Sequence, residues 1–174
     1  MKIGIISDTH KKVGKTRKAL NMLVKNGAEF IIHAGDIVEP DVLELLRDTN
    51  LNYVAVYGNN DSHLLKYQNE YNLVKEPYYF KLADTKFKLM HLPYYMTPDA
   101  QVVIYGHTHM FLSEMKNSTL FLNSGEICAR KKPLSECMML EVKKNNFHVT
   151  YYSRESGNEN FKSKEFNYKR EKQL

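Results

Sequence analysis

"MKIGIISDTH" (residues 1–10) decides how this chain is read. Its "KIGIIS" (2–7) is a short, continuous apolar run, the pattern of a strand buried on both faces. The run stops at Asp8 and His10, a carboxylate and an imidazole two positions apart. "EFIIHAG" (29–35) and "LNYVAVYG" (51–58) repeat the pattern, and each again runs into polar residues: Asp36 after the first, and Asn59, Asn60 and Asp61 after the second. Between the first two runs, "KTRKALNMLVKNG" (15–27) places Ala19, Leu20, Leu23 and Val24 at helical spacing and ends on Asn26-Gly27. Between the next two, "EPDVLELLRD" (39–48) offers Pro40 for a first helical turn and an apolar stripe of Val42, Leu43, Leu45 and Leu46. The β-α-β-α-β order predicts an α/β fold with parallel strands and right-handed crossovers, in which ligands gather at the carboxyl ends of the strands.

The second half changes character. "YYFKLADTKFKLMH" (78–91) reads as a hairpin and "AQVVIYGHTH" (100–109) as a further buried strand. "STLFLNSG" (118–125), "ECMMLEV" (136–142) and "FHVTYYS" (147–153) read as shorter strands, which predicts a second, more antiparallel sheet. From about Arg154 the chain turns polar and charged. The expected division is a folded domain over residues 1–152 and a charged C-terminal tail over 153–174, mobile or dependent on a partner.

Composition narrows the class. With 174 residues, 43% of them hydrophobic, the chain suits one well-buried domain. The net charge of +5 mildly favours anionic ligands, but the lysines are scattered and no tight basic block stands out, so charge does not argue for nucleic acid. Cys128 and Cys137 have no CxxC spacing, and the opening apolar run is far shorter than a signal-peptide core. No apolar run approaches the roughly 20 residues of a membrane-spanning helix. The expectation is a cytoplasmic protein with reduced thiols and no membrane association.

His91 follows the run "FKLM", and His107 and His109 follow "VVIY" in "GHTH", so five apolar runs in all deliver ligand-type side chains to what should be one edge. Taken singly, each has a plainer role: Asp8 or Asp36 could cap the next helix, and a lone histidine at a strand end is commonly a satisfied structural group. In the order D-x-H, GD, GN-x-D, H, GHTH they point instead to a metal centre. Oxygen and imidazole donors without thiolate suit Mn, Fe, Ni or Zn, and the seven donors Asp8, His10, Asp36, Asn59, His91, His107 and His109 exceed one tetrahedral site. Two divalent ions sharing one carboxylate are the economical arrangement.

On these motifs the chain resembles the calcineurin-like metallophosphoesterases, and among them the small bacterial and archaeal phosphodiesterases, over roughly residues 1–152. The resemblance implies two facing mixed β-sheets flanked by helices in four layers. It implies one metal held by Asp8, His10, Asp36 and His109 and a second by Asp36, Asn59, His91 and His107, manganese being the first expectation, with Asp36 as the bridge. Two such ions would bind phosphate oxygens and activate a bridging water, with no protein nucleophile. Asn60 and Asp61 are assigned to the catalytic step. The implied substrates are small or nucleotide-like phosphate diesters, and the implied assembly a dimer or tetramer. The same fold also serves a retromer subunit that acts chiefly as a protein scaffold, which is the alternative function.

Three departures stand out. Many larger relatives read GNHD or GNHE, with a histidine placed to protonate the leaving alcohol, where this chain has "GNND"; the Asn60 amide does not titrate and cannot act as a general acid. His63 is a conceivable substitute, against its plainer reading as a partly exposed residue opening a helix. In "LMHLPYY" (89–95), Leu92 stands where the family usually has Gly, and only "LPYYMTPDA" separates His91 from the next strand, which predicts a loop in place of a helix. Tyr94, Tyr95 and Met96 there either edge the cleft or cover the sheet. "LNSGE" (122–126) looks like the family's NPGS turn with both Pro and Ser changed. His33 is expected to be a core or supporting histidine and His148 a surface one.

Overall fold

The computed structural model describes residues 1–170. Strands β1 (Lys2–Ile6), β2 (Phe30–His33) and β3 (Asn52–Val56) lie parallel and alternate with helices α1 (Val13–Lys25) and α2 (Pro40–Asp48). A 3-10 helix (Ser62–Tyr67) leads to β4 (Leu73–Val74), which extends the parallel set beside β3. Neither Asp8 nor Asp36 caps a helix: the N-cap positions are Lys12 and Glu39, without side-chain capping bonds.

The hairpin forms as expected, as β5 (Tyr78–Leu82) and β6 (Thr85–Leu89). With β7 (Val102–Ile104), β8 (Phe111–Lys116) and β9 (Thr119–Ser124) it builds a five-stranded sheet in the order β5-β6-β7-β9-β8. The late strands do not join it. β10 (Leu134–Val142) pairs antiparallel with β1, and β11 (Asn146–Glu155) and β12 (Lys162–Lys169) continue outward, giving a seven-stranded sheet β12-β11-β10-β1-β2-β3-β4. The segment expected as a mobile tail, 153–174, is therefore largely built into the fold: β12 pairs with β11 from Ser153↔Lys162 to Asn146↔Lys169. The physical reason is the pair Phe166 and Tyr168, two positions apart on one face and packed against the core between the sheets, with the Tyr168 hydroxyl donating to the Ser113 carbonyl at 2.7 Å. Residues 171–174 lie outside the described residues.

The two sheets face each other across Ile3, Ile5, Ile32, Val54 and Val56 on one side and Phe87, Leu89, Val102, Ile104, Leu120 and Leu122 on the other. The outer face of the larger sheet is covered by Ala19, Leu20 and Leu23 of α1 and Val42, Leu43 and Leu46 of α2. The smaller sheet is covered instead by the 90–101 connection, a loop as the spacing predicts, in which Met96 and Ala100 pack on Val103, Tyr105 and Phe121. Buried Lys88 anchors this loop, donating to Asp99 Oδ1 at 3.0 Å and Thr97 Oγ1 at 2.7 Å. Because β1, β2 and β3 are parallel in one sheet and β6, β7 and β9 in the other, their carboxyl ends meet at one edge of the sandwich.

Candidate metal centre

All seven expected donors meet at that edge. Asp36 touches two histidines with different oxygens, Oδ1 lying 3.5 Å from His91 Nε2 and Oδ2 3.7 Å from His10 Nε2. Asp8 Oδ1 is 3.2 Å from His109 Nε2, and Asn59 Oδ1 is 3.1 Å from both His91 Nε2 and His107 Nδ1. Asp8, Asp36, His91 and His109 are buried, His10 is partly so, and Asn59 and His107 face the solvent.

The chain is bent hard to achieve this. Asp8, His10, Asp36, His107 and His109 all adopt positive φ, between 44° and 64°, in the left-handed region that non-glycine residues rarely enter. Each such residue costs of the order of 1 kcal/mol or more, and their concentration at one place marks a functional site. Gly58 permits a close approach: a Cβ there would lie 2.2 Å from both the backbone N and Oδ1 of Asp36. Leu92, by contrast, sits outside the positive-φ set, so the change from the family's Gly carries no backbone strain.

Hydrogen bonds fix which atoms are left bare. Asp8 Oδ2 accepts from Ser7 Oγ at 2.5 Å and from the His107 N–H at 3.2 Å, while Oδ1 is buried with no hydrogen-bond partner, as is His10 Nε2. The Nδ1–H of His91 donates to the Ala34 carbonyl at 2.8 Å, and the Nδ1–H of His109 donates to the Glu126 carboxylate. In neutral rings the Nε2 atoms of His91 and His109 then present lone pairs to carboxylate oxygens. Lone pairs facing lone pairs inside a protein call for a cation between them. The pKa shifts follow from the same contacts: burial and then Asp36 act in opposite senses on His91, and the Asp36 contact wins and raises it. Burial would raise Asp36, but His91 and Asn60 hold it well below the usual carboxylate range. Burial raises Asp8 and lowers His10. Asp8, His10, Asp36, Asn59, His91, His107 and His109 thus form a donor set whose chemistry fits divalent metal.

Several neighbours were not foreseen. Glu126, fully buried after β9, accepts from His109 Nδ1–H, from the Cys128 thiol at 3.2 Å and from the backbone N–H groups of Lys131 and Lys132 at 2.8 and 3.1 Å. Burial opposes its ionisation, yet these donors hold its pKa at about 2. Cys128 lies close enough to His10 and His109 to share an ion with them; burial and Glu126 push its thiol up to about 12, and in the metal-free protein it donates to Glu126. Glu76 Oε2 accepts the N–H groups of His91 and Leu92 at 2.5 and 2.9 Å, bracing the turn after β6. Asn123, in the altered turn, still ties the GHTH loop, with Nδ2 donating to the Gly106 carbonyl at 2.9 Å and to Thr108 Oγ1 at 3.0 Å.

The two residues assigned to catalysis are differently placed. Asn60 is exposed at the centre and donates from its backbone N and Nδ2 to Asp36. Both oxygens of buried Asp61 are taken by the N–H groups of Ile37, Val38 and Gly58, at 3.0, 2.8 and 2.7 Å. His63, in the 3-10 helix, is held by the Val38 carbonyl at 2.6 Å. His33 is fully buried between the Gly35 N–H and Thr9 Oγ1, and His148 bonds Asn167 on the edge of the larger sheet. Tyr94 and Tyr95 are exposed and Met96 covers the smaller sheet.

A cleft of about 560 Å³ opens beside the donors, lined by His10, Asn60, Val38 and Cys128 and by the cations Lys11, Lys12 and Arg130. None of these three cations is ion-paired among the described residues. On the other flank a smaller cleft is lined by Tyr57, Asn59, Lys75, Glu76 and Leu92.

The sequence and the fold have known counterparts. The family model of the calcineurin-like phosphoesterase superfamily domain matches residues 1–145. The chain belongs to that superfamily. Phosphodiesterase MJ0936 of Methanocaldococcus jannaschii is 32% identical over 160 residues, covering 84% of this chain and 96% of its own length. Phosphodiesterase YfcE of Escherichia coli is 24% identical over 152 residues, covering 75% and 82%. Among solved structures, an archaeal phosphodiesterase superposes with a TM-score of 0.73 at 28% identity, over 95% of this chain and 100% of that one. Vps29 of Chaetomium thermophilum shares the fold alone, with a TM-score of 0.79 at 13% identity, over 98% of this chain and 100% of that one. This phosphoesterase is a metal-dependent hydrolase acting on phosphoester bonds.

Proposed function

We propose that this phosphoesterase hydrolyses small or nucleotide-like phosphate diesters at a centre of two divalent ions, manganese first among the candidates. The observation that carries the reading is Asp36, whose two oxygens face His91 and His10 separately, as a carboxylate shared between two ions must. Ions bound there would neutralise phosphoryl oxygens and supply an activated water. The chain's own groups do the rest. Asn60 offers an amide N–H at the mouth of the centre, placed to donate to a phosphoryl oxygen, and the cationic wall of Lys11, Lys12 and Arg130 draws in an anionic ester. The apolar edge at Val38 leaves room for a base or aryl group beside it. Against the scaffold reading stands the complete donor set, which a purely structural role would not need.

Anomalous scattering from manganese-soaked crystals tests the centre: two peaks within about 4 Å of each other, flanking Asp36, are expected from two-metal geometry. One peak, or none near Asp36, overturns the dinuclear reading. A screen of diester and monoester model substrates with manganese in excess tests the substrate class, and a preference for monoesters overturns it.

A further inference from the structure

We infer that Glu126 is a positioning residue of the metal centre, fixing His109 as the Nδ1–H tautomer so that a bare Nε2 faces Asp8. The inference rests on the reading of His109 as a ligand and adds a residue that the family's NPGS pattern does not contain, since Glu126 stands at the Ser position of that turn.

The geometry is one-sided. The His109 ring has its Nε2 3.2 Å from Asp8 Oδ1 and its Nδ1 against Glu126 Oε2. Every contact of the Glu126 oxygens is with a donor, the ring on Nδ1 among them, whereas Asp8 Oδ1 opposite Nε2 is buried without a hydrogen-bond partner, so the ring hydrogen belongs on Nδ1. Oε2 also takes the Cys128 S–H, and Oε1 the amides of Lys131 and Lys132, so four donors hold the carboxylate still. A side chain immobilised from four directions fixes the plane of the ring it holds. Carboxylate behind histidine is also the arrangement that makes an imidazole a stronger metal ligand. The same carboxylate shapes the segment that presents Arg130 to the cleft, because that residue lies between Cys128 and the two bonded amides. Glu126 thereby joins the ligand to the wall that meets the substrate.

The test begins with the unsubstituted protein without metal. Long-range proton–nitrogen NMR is expected to show His109 as the Nδ1–H tautomer; finding Nε2–H overturns the inference and needs no variant to fold. Glu126→Gln keeps the shape and removes the charge. It is expected to mix the two tautomers and weaken Mn²⁺ binding, measured by calorimetry, by about 10–100-fold, the usual range for a group that orients a metal ligand. Cys128→Ala removes another contact of the same carboxylate and is expected to leave the His109 tautomer unchanged. A Glu126→Gln protein that keeps both the tautomer and an Mn²⁺ affinity within twofold of the parent overturns the inference, whatever its melting temperature. If the tautomer is as stated while no phosphate ester is hydrolysed by the parent, the functional reading fails and the positioning of His109 by Glu126 stands.

Discussion

Asn60 holds both oxygens of Asp36, its backbone N–H donating to Oδ1 at 3.0 Å and its Nδ2–H to Oδ2 at 2.8 Å. The residue that stands where many larger relatives carry a histidine therefore orients the Asp36 carboxylate. The two positions should respond unequally to substitution. Asn60→Ala keeps the backbone bond and is expected to lose about 10–100-fold in turnover, as groups that orient a ligand do. Asp36→Asn removes the charge that faces both His91 and His10 and should abolish metal-dependent turnover. Equal residual activity of the two variants on one diester, with metal in excess, would sink the role given to Asp36.

Asp61 ties the turn after β2 to the turn after β3 through three backbone N–H groups, and its replacement is a stability experiment. Asp61→Ala leaves those donors without an acceptor, at about 1–3 kcal/mol for each one that stays buried. A loss of about 3 kcal/mol or more in urea unfolding of the metal-free protein is expected, and Asp61→Asn, which keeps one acceptor oxygen, should fall between. An alanine variant as stable as the parent, yet inactive, would instead place Asp61 in the chemistry.

Burial pushes His33 from an ordinary 6.5 down to about 3, with His91 and His10 adding to the fall and Asp36 opposing it. Below 6.5 the unfolded chain takes up a proton that the folded chain refuses until about pH 3. This contribution to stability is thus complete above pH 6.5 and is lost as the pH falls toward 3, at up to about 1.4 kcal/mol per pH unit for one proton. Urea midpoints of the metal-free protein at pH 7 and pH 5 should separate more for the parent than for His33→Gln. An equal separation would mean that His33 is not the titrating group.

The strand ends and their donors were legible because parallel strands leave the sequence as apolar runs, each followed at once by its ligands. Asp8, Asp36 and His109 could be placed at one edge from that order alone. Glu126 and Glu76 could not: a loop carboxylate that bonds a histidine 17 positions away, or the backbone N–H of a residue 15 away, reads in sequence like any surface acid. The tie that Asp61 makes to three backbone N–H groups was hidden for the same reason, since backbone amides leave no residue signature. The edge strand β12 hid behind its charges, having only Phe166 and Tyr168 to mark a buried face.

The leaving group offers the sharpest test, because Asn60, Asp61 and His63, the polar side chains that follow β3, are all otherwise engaged. The Asn60 amide does not titrate, Asp61 is consumed by backbone bonds, and the His63 ring donates to the Val38 carbonyl at 2.6 Å. With none of these three supplying the proton, the departing oxygen is expected to leave as an anion or with help from a bound ion, so the rate should fall steeply as the leaving group's pKa rises. A series of aryl phosphodiesters of graded leaving-group pKa, at saturating manganese and with chemistry rate-limiting, should give that slope in the parent protein. General acid catalysis is typically worth about 10²–10⁴-fold, and Asn60→His should recover only part of it, because the same substitution removes the Nδ2 bond to Asp36. The gain should be largest for the poorest leaving groups and flatten the series. A parent series that is already flat would mean a proton is being supplied, and loss of that flatness in His63→Ala would name the donor.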